Sequence, residues 1–423
     1  MFLHSGNSTS RPLRRALATL CLGTLIFLPA LRAQSTAPRP RLLAAELVEK
    51  PVLTPAVSIP VAPLGFTAPN SAYLGERHQM ASLDFVDENH LLFSFRVPAL
   101  LHRDDRGNSS SDELHQVRAL VLALPSGAVD TETLWTLHDH VRYLWMLNDG
   151  HFLLRDGNGV SEGDRQLETK PLLRFPGQLL WIDLDPSQQY LACDSFEPLA
   201  KSSPASSDDD DSASSSHKDI AVRILQRESG KVLLVSRVRS SFRLPVNEDG
   251  YLEVLRDRGL NWLLNLNQFD GTVRTAAQIQ STCTPGPEFL TRTRMVSSIC
   301  GLAGEQRLAG LTTSGKMLCV DELAPASIWP QLIHSADGSR LAQISLITHA
   351  PLSASSPFDP EDVKGQMVRV LDAASGESIF TISASPALDV AGNVALSPSG
   401  SRLAVLRNGA LEVYDLPAAG AKK

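Results

Sequence analysis

Leu122-Ala123-Leu124-Pro125-Ser126-Gly127 and Leu371-Asp372-Ala373-Ala374-Ser375-Gly376 are two copies of one turn, Leu-x-x-x-(Ser/Asp/Pro)-Gly. The same outline recurs at residues 172–177, 225–230 and 266–271. Self-similarity with a spacing of roughly 40–50 residues marks a repeat architecture, propeller blades among them. A second turn alternates with the first. Leu396-Ser397-Pro398-Ser399-Gly400-Ser401-Arg402-Leu403-Ala404 matches His334-Ser335-Ala336-Asp337-Gly338-Ser339-Arg340-Leu341-Ala342 almost position for position. Weaker copies lie at residues 184–192, 146–153, 85–92 and 246–252. Gly suits such turns because it reaches positive φ without a Cβ clash.

Two alternating turns give a unit that reads strand, turn, strand, loop, strand, turn, strand, which is one four-stranded antiparallel blade. Degenerate turns are expected after Val320-Asp321 and after Tyr414-Asp415. Counting both turn types predicts an all-β, seven-bladed β-propeller over residues 71–417. The strands are short and rich in Val, Leu, Ile and Phe, and beyond the N-terminus no helical period competes with them. A lone blade cannot bury both faces of its sheet, so the seven should stack into one domain. The last unit, residues 393–416, lacks an outermost strand, and residues 52–77 carry apolar runs with no repeat partner. An N-terminal strand is therefore expected to complete the last blade and close the ring.

Val370-Leu371-Asp372-Ala373-Ala374-Ser375-Gly376 resembles the Trp-Asp-x-x-Thr-Gly stretch of WD40-type repeats, with Leu371 in place of Trp. Tyr414-Asp415 is similar to the Trp-Asp pair, and the turn at 396–404 resembles the repeats of exported bacterial WD40-like and YVTN-type propellers. The resemblance implies the fold and a tendency toward binding roles. It transfers no catalytic residue, and the Gly-His that opens standard WD40 repeats is missing.

Residues 1–33 read as a secretory signal: Arg11, Arg14 and Arg15 lead an apolar stretch over residues 16–28, with a cut expected after Ala33. That stretch is short for a spanning helix, which needs ~20 residues, so no transmembrane segment is expected after cleavage. The mature chain is expected to be periplasmic or secreted. Residues 34–70 form a Pro-rich spacer and closing-strand region, and residues 418–423 a tail. Cleavage removes four arginines and no acid from a net charge of −7, leaving −11. An acidic balance argues against nucleic acid, whose phosphates need clustered Lys and Arg. A monomer is expected. Of the four cysteines outside the signal, Cys283 and Cys300 flank one irregular segment and form the favoured disulfide. Cys193 and Cys319 read as free thiols in strands.

Blade topology puts both tight turns of each unit on one face and the longer insertions on the other. Those insertions, residues 102–113, 156–170, 199–219 and 351–365, are mostly acidic. Asp208, Asp209, Asp210 and Asp211 within a Ser/Asp tract are candidates for loosely held Ca2+ or for a basic partner, against the plainer reading of a solvated loop. His138 and His140, on one side of a strand with Asp139 between, are weak metal-ligand candidates lacking a third ligand. Asp156-Gly157-Asn158-Gly159 carries a passing likeness to a calcium loop. The five tryptophans, Trp135, Trp145, Trp181, Trp262 and Trp329, read as packing between blades ahead of lining a carbohydrate groove. No P-loop, dinucleotide fingerprint or Gly-x-Ser-x-Gly elbow is present.

No cofactor is expected beyond that weakly held Ca2+. The leading functional expectation is a non-catalytic exported propeller that meets a protein or envelope partner through its acidic loop face. The alternative is a lactonase-like hydrolase with a metal or carboxylate site in the central channel. The inner strands recognised in the sequence supply only Asp84 and Asp183 as acids, which weighs against the enzyme.

Overall fold

The computed structural model describes residues 51–67, 81–97, 114–138, 142–196, 220–238, 243–323, 329–349, 362–387 and 392–418. Gly127, Gly230, Gly271 and Gly376 all take positive φ, between 63° and 90°, at the turn joining the third and fourth strands of their sheets. Four of the five copies of the opening motif thus act as the sequence predicts. The copy at residues 172–177 does not. Its strand is Thr169–Arg174, the outermost of its sheet, and Gly177 lies on the link into the next one. The glycine is there for close approach rather than for a turn: a Cβ would sit 2.0 Å from the Phe196 carbonyl oxygen. The degenerate turn expected after Val320-Asp321 is also misplaced. Those residues belong to the outermost strand Met317–Glu322, and the turn comes earlier, around Gly315 at φ 84°.

The described chain forms seven four-stranded antiparallel sheets, six of them built from consecutive strands. The inner strands, in order, are Ala81–Asp87, Leu144–Met146, Leu179–Leu184, Val246–Asn247, Gly286–Thr291, Gln331–His334 and Val394–Leu396. All seven border one central cavity, so the sheets are blades around a channel. Apolar side chains meet between blades. Leu92, Val117 and Trp135 of the first blade pack with Tyr143, Leu144 and Phe152 of the second in one buried cluster.

The seventh blade takes its outermost strand from the other end of the chain. Val57–Pro60 pairs antiparallel with Ala410–Asp415, from Val57 opposite Val413 to Pro60 opposite Ala410. The chain then continues into the core. Ile59, Val61 and Phe66 are buried with Leu406, Leu411 and Val413 of the seventh blade and Phe93 and Phe95 of the first. Phe66 meets both Phe93 and Phe95 edge-on at 5.4 Å between ring centroids, a favoured aromatic geometry.

The second motif has its own physical reason. In both strong copies a Ser hydroxyl accepts the backbone N–H of the Arg five residues on, Ser335 from Arg340 and Ser397 from Arg402. The Arg then pairs with the Asp opposite it at the end of the third strand: Arg340 with Asp372 at 2.8 Å and Arg402 with Asp415 at 3.0 Å. Each also reaches the next blade, Arg340 donating to the Pro417 carbonyl and Arg402 to the Glu88 carbonyl. The Asp that gives this chain its likeness to WD40 repeats is thus the partner of a blade-linking arginine.

The aromatic contact after the closing strand is directly testable. Phe66→Ala should lower the unfolding free energy by about 3–5 kcal/mol, as truncation of a buried aromatic does, in urea unfolding. An unchanged midpoint would show that the segment after the closing strand is not part of the core.

Candidate functional site in the central channel

The channel holds a cavity of about 1040 Å3. On or just ahead of the inner strand, each of the first six blades contributes a charged residue or a histidine to the lining: Asp84, Arg142, Asp183, Arg243, Glu288 and His334 in turn, with Asp185 and Glu253 bordering the cavity as well. The three acids occupy equivalent places on alternate inner strands. Asp84, Asp183 and Glu288 lie opposite Leu92, Ala192 and Val296 of their second strands, and each immediately precedes an apolar residue, Phe85, Leu184 or Phe289. Arg142 and Arg243 stand just ahead of the second and fourth inner strands. The result is an alternation of acid and base around the first five blades, ending on His334 in the sixth.

Arg243 is tied down. Its Nε and Nη2 donate to the two carboxylate oxygens of Asp183 at 2.9 and 2.8 Å, and its guanidinium lies 4.6 Å over the Trp181 ring. Its Nη1 stands 4.0 Å from Glu288. Arg142 is held differently. It lies 5.2 Å over Trp145 and donates from Nε to the Leu144 carbonyl at 3.2 Å. Among the described residues its two terminal nitrogens have neither a hydrogen-bond acceptor nor a carboxylate within 4 Å.

The two arginines are exposed to the open channel and the acids and His334 are half-buried, and the protein crowded around the acids disfavours their charged forms. Burial pushes the Asp84 carboxyl up to about 6, against smaller opposing effects of the Ser82 hydroxyl and Arg142. The Ser82 hydroxyl donates to Asp84 at 2.6 Å. Burial also raises Glu288, with Asp183 adding to the shift and Arg243 opposing it. The same desolvation pulls Arg142 below the usual arginine value, partly offset by Asp84. His334 donates from Nδ1 to the Ser335 carbonyl at 3.0 Å in the tautomer that leaves Nε2 free to accept. A carboxyl raised to about 6, in a channel that also holds guanidinium groups, suits either ligand recognition or proton transfer.

The residues singled out in the sequence lie elsewhere. His138 follows the outer strand of the first blade, Ala128–Leu137, exposed, with its backbone N–H and ring Nδ1 both on Asp156 Oδ1, at 2.7 and 2.9 Å. His140 lies outside the described residues, as do Asp208, Asp209, Asp210 and Asp211. Cys283 and Cys300 are joined by a disulfide with Cα atoms 5.4 Å apart, and Cys193 and Cys319 are free thiols. The expected insertion at 156–170 is corrected. Residues 156–159 form a tight turn between strands Phe152–Asp156 and Gly159–Gly163, so Glu162 sits in a strand and Asp164 in the following loop.

The tryptophans divide. Trp135 packs between blades against Phe152 at 5.4 Å, whereas Trp145, itself buried, Trp181 and Trp329 border the channel. Asp149, His151 and Glu162 place one ligand atom each within 4.8 Å of one another. Glu162 is already committed to Arg227 at 2.9 Å, and the other two are exposed, so the group carries no metal assignment here.

Arg142, Arg243, Glu288 and His334 escaped sequence reasoning. The arginines precede very short inner strands. Glu288 precedes a turn, Thr291-Arg292-Thr293-Arg294, that lacks glycine and so breaks the repeat pattern. His334 stood in plain view as the residue aligned with Leu396, a polar residue where the other copies are apolar.

No family model matches the chain, and no curated protein matches it. Solved structures do. An oligogalacturonate lyase from Vibrio parahaemolyticus is 10% identical, with TM-score 0.49 over 88% of this chain and 99% of that one. Acylaminoacyl peptidase from Pyrococcus horikoshii is 11% identical, with TM-score 0.46 over 82% of this chain and 52% of that one. The WD40 domain of Toxoplasma gondii coronin is 10% identical, with TM-score 0.43 over 89% and 91%. The likeness extends no further than the fold.

The raised Asp84 carboxyl has a sign that can be checked. Below its unfolded value, near 4, both states hold the proton. As pH rises toward about 6 the unfolded chain releases it first, so stability is lost across that window. Asp84→Asn should melt above the native chain at pH 7.5 and lose that advantage at pH 4. An advantage of equal size at both pH values would contradict the shift.

Proposed function

We propose that this protein is a small-molecule-binding β-propeller whose site is the central channel, among Asp84, Arg142, Glu288 and His334. One observation carries the reading: Arg142 offers a guanidinium to the cavity with no carboxylate partner within 4 Å among the described residues. Arg142 is exposed to the channel, where a ligand can reach it, and a carboxylate that meets its fork gains charge-assisted hydrogen bonds. The cavity volume, about 1040 Å3, is at the upper end of the ~300–1,000 Å3 range of small-molecule sites.

The acidic insertions expected to dock a protein partner lie mostly outside the described residues, so the channel carries the proposal in their place. Export through residues 1–33 belongs to the same reading and rests on the basic-apolar-small order of that segment. The raised Asp84 carboxyl leaves room for catalysis in the same cavity, and no reaction is assigned.

A thermal-shift panel tests the reading. It comprises small carboxylates, amines, amino acids and dipeptides, and neutral sugars, applied to the native chain and to an Arg142→Gln/Glu288→Gln double variant. At least one set should raise the melting temperature of the native chain and leave the variant unmoved. Shifts of the same size in both proteins, or no shift from any set, would contradict a channel site.

A further inference from the structure

The charges in the channel do not all cancel within the protein. Asp183 and Arg243 satisfy each other through two hydrogen bonds. Asp185 accepts hydrogen bonds within its own turn and Glu253 is exposed, which leaves on the inner strands and just ahead of them Arg142 on one side, and Asp84 and Glu288 on the other. Arg142 spends only its Nε–H, on the Leu144 carbonyl, so the outer fork of its guanidinium is free among the described residues. Such a fork matches the two oxygens of a carboxylate. Glu288 comes no nearer than 4.0 Å to Arg243 and accepts no hydrogen bond among the described residues. Both groups border the same cavity.

A ligand of one sign would serve only half of this arrangement. An anion alone would satisfy Arg142 and bring a further negative charge beside Asp84 and Glu288. A cation alone would satisfy the carboxylates and be repelled by Arg142. A molecule carrying both charges meets both needs at once, and the size of the cavity leaves space for substituents between or beyond them.

We infer that the channel takes a zwitterion of amino-acid or short-peptide type, its carboxylate on the free fork of Arg142 and its ammonium group on Glu288. Trp145 beneath Arg142 would act as a positioning residue, holding the guanidinium plane. The inference rests on the channel being the ligand site.

Calorimetric titration of the full chain with L-alanyl-L-alanine, its N-acetyl form and its C-terminal amide tests it. The free dipeptide should bind, and each blocked form should bind about tenfold more weakly or worse, the scale of one hydrogen bond to a charged group. Arg142→Gln should weaken the free dipeptide by a similar factor and leave the amide unchanged. Glu288→Gln should weaken the free dipeptide and leave the acetylated form unchanged. The comparison of blocked and free ligands on the native chain needs no variant, so a misfolded mutant cannot obscure the result. Equal binding of all three forms, or of none, overturns the zwitterion. In either case acetate, ethylamine and glucose, titrated on the same protein, separate the two failures. Binding of any one that is lost in the Arg142→Gln/Glu288→Gln double variant keeps the channel as a site for another ligand class, and binding of none, or binding unchanged in that variant, removes the channel reading as well.

Discussion

The ring depends on one seam. Six blades are each folded from a continuous stretch of chain, and the seventh is completed by pairing Val57–Pro60 with Ala410–Asp415. Blades packed face to face bury their apolar surface only if the ring has no open end. Without the seam, the face of the seventh blade and the aromatic pair Phe93–Phe95 would meet water. Joining residues some 350 positions apart costs loop-closure entropy, which grows only with the logarithm of length. The continuation through Val61 to Phe66 sets burial against that cost, and the Arg402 contact to the Glu88 carbonyl adds a polar link across the same junction.

A closed ring has a further consequence at its axis. Seven inner strands converge and their side chains cannot fill the centre, so a channel remains whose lining is under weaker packing constraint than the spaces between blades. Apolar residues between blades secure the fold, and the axis can hold charge. This chain places Asp84, Asp183 and Glu288 at one register and arginines between them. The Asp183–Arg243 pair, stacked on Trp181, fixes the geometry of one side. Arg142, with no such partner, keeps the outer fork of its guanidinium unpaired among the described residues. On the function proposed above, its position serves a ligand and not the stability of the ring.

How much of this could be read from the sequence follows from the length of each element. The blade count was legible because the turns repeat and because Gly127, Gly230, Gly271 and Gly376 are required at positive φ. The closing strand was legible because the last unit ends one strand short. Gly177 misled, since a glycine demanded by close approach to the Phe196 carbonyl looks the same in sequence as one demanded by a turn. The site was largely hidden. Inner strands of two or three residues, Val246–Asn247 and Leu144–Met146, are too short for alternation to register. Arg142 and Arg243, just ahead of them, read as ordinary linker residues. Only the fold brings six side chains from six blades to one cavity.

The central claim is that the channel charges serve a ligand and not the ring, and stability distinguishes the two without knowledge of the ligand. The measurement is the unfolding free energy of Arg142→Met against the native chain in urea at neutral pH. If the guanidinium awaits a ligand, removing it should leave stability unchanged or raise it, as removal of strained functional groups commonly does. If instead it holds the channel together, the variant should lose stability, by about 1 kcal/mol, the upper end for an exposed charge interaction. That loss would contradict the account.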